Sequence, residues 1–170
     1  MGMKVRKITR MAMLCAIALT IFMLEAQIPP VLPALPGVKL GLSNIVTVFA
    51  VFVLGPGEAA QILFGRIFLG AVFGNFGTIF YSAAGGLCAI GMTILLRKVL
   101  TKKQIWVAGI LGAISHSVGQ MAVAVFMLGT VTIVMWLPAL IFISIFTGFF
   151  TGLCAQFLVN REKLWKIFSK

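Results

Sequence analysis

Twelve of the fourteen Lys and Arg residues fall in three short clusters, and nearly everything between them is apolar. The first cluster is Lys4, Arg6, Lys7 and Arg10; the second is Arg97, Lys98, Lys102 and Lys103; the third is Arg161, Lys163, Lys166 and Lys170. Long apolar blocks bounded by short basic stretches describe a polytopic membrane protein with its positive segments on the cytoplasmic side. Composition agrees. The chain is 61% hydrophobic and has no Asp, so a soluble fold of 170 residues could not cover its surface, which is expected to meet the lipid bilayer. A net charge of +11 can signal nucleic acid, but here the charge is confined to termini and one loop. Positive-inside placement accounts for it, and no nucleic-acid partner is expected.

The apolar runs define six segments at about 9–28, 40–54, 58–76, 78–96, 104–128 and 132–159. The expectation is an all-α integral membrane protein: six transmembrane helices in a single domain, 1–170, with both termini cytoplasmic. An even count puts all three basic clusters on one side; five or seven spans would strand one of them outside. The second segment is short for a core of about 30 Å, unless residues 36–39 extend it. The apolar run 11–24 behind a basic start resembles a signal peptide, but Glu25-Ala26-Gln27 is a poor cleavage site, so a retained first span is expected.

Punctuation fits this layout. Turns are expected at Gly55-Pro56-Gly57, at Gly74–Gly77 and at Gly129-Thr130. Residues 29–37 carry four prolines and form the long outer loop, either folded over the mouth of the bundle or serving as a rigid spacer. Gly70 and Gly74, Gly148 and Gly152, and Gly109, Gly112 and Gly119 mark faces where helices approach closely. Cys15, Cys88 and Cys154 lie in apolar segments without metal or redox spacing and read as small buried hydrophobes.

The polar residues at membrane depth are few. Counted from the cytoplasmic ends, Arg66 lies about 12 Å in and His116 about 18 Å in, with Gln120 one turn further along the same face. Glu25, Asn44 and Asn75 fall in the outer third of their segments, and Lys39 stands at the outer entrance. A charge at the bilayer centre costs at least ~2.5–3.5 kcal/mol and normally faces the interior, paired or at a cavity. Arg66 is therefore the sharpest candidate, either as a solute contact or as a structural partner of Glu25. His116 reads equally as a satisfied structural histidine or a ligand contact. Gln61, Ser43 and Ser115 read as helix–helix hydrogen bonders. Phe73, Phe76, Tyr81 and Trp136 could stack on a planar solute or form an interfacial belt. Three cationic groups against one outer carboxylate suggest a cavity for a small anionic or zwitterionic molecule.

Other chemistries lack their residues. There is no phosphate-cradling Gly-rich loop ending in Lys-Ser or Lys-Thr. Three scattered Glu and no Asp cannot make a paired-carboxylate Mg²⁺ site, and one His with three dispersed Cys cannot make a typical zinc site. No enzymatic activity and no cofactor are expected of this chain alone.

The stretch Pro36-Gly37-Val38-Lys39-Leu40-Gly41-Leu42-Ser43-Asn44-Ile45-Val46-Thr47, followed by Gly55-Pro56-Gly57-Glu58-Ala59, resembles the signature of a bacterial membrane family. That family is called Gx transporter or heptaprenyl diphosphate synthase component I. It is similar in turn to the substrate-binding S components of energy-coupling factor (ECF) transporters. The resemblance implies a six-helix protein that takes a small solute from outside and docks on a coupling subunit driven by two ATPases. S components contact that subunit through an alanine-x-x-x-alanine patch on the first helix, which Ala12-Met13-Leu14-Cys15-Ala16 matches. The synthase label implies instead a partner subunit in prenyl-diphosphate or quinone synthesis, with the Asp-rich catalytic site on another chain.

Overall fold

The computed structural model describes residues 2–28, 39–73 and 76–161. Six α-helices follow one another: α1 (Gly2–Glu25), α2 (Asn44–Val53), α3 (Pro56–Phe73), α4 (Ile79–Arg97), α5 (Ile105–Leu128) and α6 (Leu137–Asn160). Short 3₁₀ turns, Phe76–Thr78 and Val131–Trp136, precede α4 and α6. No strand occurs among the described residues. One α-helix overlaps each expected apolar segment, α1 beginning at Gly2 rather than near residue 9, so the described residues are all-α.

Among the described residues, four stretches are long and apolar enough to cross a membrane: Val5–Glu25, Ile79–Arg97, Ile105–Leu128 and Val131–Asn160. The other two helices differ for physical reasons. α3 carries Glu58 and Arg66 within its 18 residues, which lowers its apolarity. α2 has 10 residues, about 15 Å of helix, or half of a hydrocarbon core. The run 40–54 does not begin as helix, because residues 40–43 turn instead, with Gly41 at φ +77°. Lys39 is not helical either, and the rest of the anticipated 36–39 extension lies outside the described residues.

α2 is apolar on all sides and occupies the centre. Every residue in it except Ile45 is buried, and it packs against all five other helices. The tightest pairing is α5 with α6, where glycines bring the backbones together. A Cβ on Gly148 would lie 2.7 Å from Gly109 O and 2.7 Å from Ile110 Cα; one on Gly152 would lie 2.7 Å from Trp106 O. Buried Ser117 and Ser144 share a 2.6 Å hydrogen bond at the same interface. α1 is peripheral and packs on α3 and, less extensively, α2.

The helices alternate in direction. Lys7 Nζ reaches Glu58 Oε1 at 2.6 Å, joining the starts of α1 and α3. Asn160 Nδ2 donates to Lys102 O at 3.5 Å, joining the end of α6 to the α4–α5 connection. A Cβ on Gly55 would sit 3.7 Å from Arg97 Nη1, which brings the α2–α3 turn to the end of α4. The described members of all three basic clusters therefore lie at one end of the bundle. The exposed Lys7–Glu58 pair contributes only about 0–1 kcal/mol.

Gly55 turns at φ +123°, and Gly129 ends α5 in the left-handed region at φ +64°, both at expected turns. The anticipated turn at Gly74 and Asn75 lies outside the described residues. The run 132–159 is broken before Leu137-Pro138, since proline has no N–H and suits a first helical turn. The cysteines depart from the buried-hydrophobe expectation: Cys15 and Cys154 are half-buried and Cys88 is exposed on α4. All three are unpaired.

Gly148→Leu is expected to destabilise the bundle by about 3 kcal/mol or more, because backbone rather than a flexible side chain occupies the space. Gly91 on α4 has nothing within 4 Å of its would-be Cβ. Gly91→Ala should be neutral or stabilise by about 0.4–1 kcal/mol. Thermal unfolding of both variants in detergent measures the contrast.

Candidate solute-binding site

At the end opposite the basic clusters, the chain from Lys39 to Asn44 crosses between the end of α1 and the middles of α3 and α5. Glu25 closes α1 and is buried, and its carboxylate accepts hydrogen bonds from the N–H groups of Gly41 (2.6 Å) and Leu42 (3.0 Å). These N–H groups belong to the tight turn leading into α2, where Asn44 N donates to Gly41 O at 2.9 Å and Val46 N to Ser43 O at 3.2 Å. Both oxygens of Glu25 are thus engaged near a helix N-terminus, where a negative charge is favoured.

Gly41 is needed here for its positive φ and also for its size. A Cβ would fall 2.8 Å from Asn44 Nδ2 and 3.2 Å from His116 Cδ2. Gly85 does the same on α4, its would-be Cβ 2.8 Å from His116 Nδ1 and 3.0 Å from Gln120 Cγ. The next residue, Gly86, would place a Cβ 3.5 Å from Arg66 Nη2. Glycines on two elements let Asn44, His116, Gln120 and Arg66 come together.

Lys39 donates its backbone N–H to Gln120 Oε1 at 3.3 Å, and its ammonium lies 3.6 Å from the centroid of the Phe22 ring. The Arg66 guanidinium carbon is 5.7 Å from the same ring, giving one aromatic face two cationic neighbours. Phe22 in turn sits against Gly70, whose Cβ would be 2.9 Å from Cε1. Burial pulls the Lys39 ammonium below its ordinary pKa; the Glu25 carboxylate opposes this and the Arg66 charge adds to it.

Arg66 is 3% exposed. Its Nη1 donates to Ser43 Oγ, while Nε and Nη2 have no hydrogen-bond partner among the described residues. Among the described residues neither amide atom of Asn44 has a hydrogen-bond partner, while the His116 ring lies against Gly85. The Glu25–Arg66 ion pair considered from sequence is not formed among the described residues; Glu25 binds backbone and Arg66 binds Ser43.

The family model for heptaprenyl diphosphate synthase component I matches residues 14–158. The chain belongs to this family. No curated protein and no solved structure matches it. The matched region contains every described member of the polar cluster and Ala16, but neither Ala12 nor any of the eight basic residues of the two terminal clusters.

Of the substrate-binding candidates read from sequence, the structure brings together Glu25, Lys39, Asn44, Arg66, His116 and Gln120; Asn75 lies outside the described residues. Ala12 and Ala16 are exposed on α1. Ser43, read from sequence only as a helix–helix hydrogen bonder, is the hydroxyl that receives Arg66. Phe22, absent from the sequence candidates, stands three residues before Glu25 on the same helical face, and that spacing is the signal for it in the sequence. The aromatic set disperses: Tyr81 is buried with Met121, Ala124 and Leu140, Phe73 and Trp136 are exposed, and the Phe76 side chain lies outside the description.

Glu25→Gln replaces one accepting oxygen with an NH₂ facing a backbone N–H. A loss of about 1–3 kcal/mol is expected, with faster amide hydrogen exchange at Gly41 and Leu42 than at Val51. Exchange measured by mass spectrometry in detergent checks it.

Proposed function

We propose that the protein is the membrane substrate-binding (S) component of an ECF-type transporter. It captures a small anionic or zwitterionic solute from the outer side and delivers it through a separate coupling subunit with two ATPases. The observation that carries this reading is the buried Arg66, with two of its nitrogens and the buried Asn44 amide unpartnered among the described residues, at the turn that Glu25 holds. Unsatisfied polar groups at such depth are costly and mark a place where something polar binds. Lys39, His116 and Gln120 complete the polar wall, and Asn75 is retained as a further contact. The protein has no catalytic role in this reading.

The bundle lies in the bacterial cytoplasmic membrane with its basic end, and so both termini, in the cytoplasm. Six helices form the transmembrane domain. α2 reaches only part of the way, and the non-helical turn before it is tolerated because protein surrounds it. A short helix whose N-terminus opens toward an anionic group is a recurrent way to build a solute site at membrane depth. Ala12 and Ala16, exposed on the peripheral helix, form the docking patch for the coupling subunit.

The family's name favours a second reading, a non-catalytic membrane subunit of prenyl-diphosphate or quinone-tail synthesis. It requires an Asp-rich synthase partner, because this chain has no Asp. Gentle purification of the tagged protein from its native membrane, beside an Ala12→Trp, Ala16→Trp variant, separates the two by the proteins recovered. Two ATPases and a coupling subunit, lost in the variant, are the expected result. A prenyl synthase in their place supports the second reading, and no partner at all supports a solitary small-molecule carrier.

A further inference from the structure

We propose that the group recognised inside the bundle is a carboxylate, held in a bidentate contact by the Nε–Nη2 edge of Arg66, with the Asn44 amide beside it. The proposal rests on reading this polar cluster as the solute site, and it narrows the chemical class. A guanidinium presents its N–H groups along fixed edges, and each edge matches the two oxygens of a planar carboxylate. Here one nitrogen is taken: Nη1 serves Ser43. What remains unpartnered is the pair that makes up one such edge, Nε with Nη2, on a side chain only 3% exposed.

Charge points the same way. The described charged groups of the cluster are two cations, Lys39 and Arg66, and one carboxylate, Glu25. Both Glu25 oxygens are committed to the backbone of Gly41 and Leu42, and the Lys39 ammonium lies on the Phe22 ring. Arg66 therefore has no direct anionic partner among the described residues, and one negative charge would complete it. A monoanion fits this balance better than a phosphate, which would bring more charge and more oxygens than one guanidinium edge and one amide satisfy. It also bears on a zwitterionic solute. No described carboxylate is free to receive an ammonium, so the Arg66 end would bind the acid, and any amine would face Asn44 Oδ1, which has no partner among the described residues. Gly85 and Gly86 let α4 pack directly against this cluster, with a would-be Cβ on Gly85 2.8 Å from His116 Nδ1 and one on Gly86 3.5 Å from Arg66 Nη2.

The test uses acetate as the smallest carboxylate and acetamide as its neutral counterpart of the same shape. Melting midpoints of the full-length protein in detergent are measured by titration at one pH and matched ionic strength, with chloride and phosphate as further arms. Expected is a rise of about 2–4 °C with acetate over chloride, none with acetamide, and a smaller effect of phosphate. Arg66→Lys keeps the charge but loses the planar edge, and Asn44→Ala removes the adjacent amide; the first should abolish the acetate shift and the second reduce it. The proposal is overturned if acetate does no more than chloride, if acetamide matches it, if phosphate exceeds it, or if Arg66→Lys retains the full shift. Should Arg66→Lys fail to fold, the wild-type comparison of acetate, acetamide, chloride and phosphate decides alone. Partner recovery is read separately, so the carboxylate can fail while the S-component reading stands, and the reverse.

Discussion

Burying a guanidinium as fully as Arg66 is buried is costly unless its N–H groups are satisfied, and that cost organises the end of the bundle opposite the basic clusters. One hydroxyl and one aromatic face are all that the described residues offer it directly, from Ser43 and Phe22. Both depend on other elements. Ser43 is positioned by the turn that Gly41 permits and Glu25 holds, and Phe22 by contact with Gly70. The central placement of α2 follows from the same geometry, because the turn before it must reach across from α1 to α3 and α5. A helix of 10 residues is enough when it is enclosed by others and need not itself meet lipid on both sides.

The outline of the fold was legible because lipid imposes a simple rule: a segment long and apolar enough to be stable there must satisfy its backbone internally, as a helix. Six helices accordingly overlap the six apolar runs. The exceptions arise where tertiary contacts override local pattern. Residues 40–43 are apolar or small and read as the start of a helix, yet the buried carboxylate of Glu25, sixteen positions before Gly41, fixes them as a turn. No periodicity encodes that contact. The break at Leu137-Pro138, by contrast, was present in the sequence as a proline within an apolar run and could have been read.

The polar cluster was legible for a related reason. In a chain with so few polar residues, those at similar depth have few alternatives but one another, so depth counting alone gathered Arg66, His116, Gln120 and Glu25. Depth does not say which atoms pair. Glu25 and Arg66 are opposite charges at the same end, and pairing them was reasonable; the structure gives Glu25 to two backbone N–H groups instead. Glycine roles were legible where glycines recur at helical spacing, as at Gly148 and Gly152. They were hidden where a lone glycine accommodates a side chain of another element, as Gly41 and Gly85 do for His116.

Without a hydrophobic force between helices in lipid, packing closeness decides which helices move together. α5 and α6 meet backbone to backbone through Gly109, Gly148 and Gly152, and a serine pair joins them, so they form the rigid side. α1 is held differently. An apolar groove of about 330 Å³, lined by Met13, Ile17, Ile21, Phe49 and Leu158 among others, opens beside it. Its attachments include the Lys7–Glu58 pair near one end and the Glu25 contacts at the other. Phe22, under Lys39 and near Arg66, belongs to it as well. A displacement of α1 therefore acts directly on the turn over Arg66 and on the aromatic face beside it. In the proposed function the helix that would meet a coupling subunit through Ala12 and Ala16 is also the helix that closes the solute site. Docking and solute release would then share one mechanical element, provided the partner favours a different α1 position from the one the solute favours.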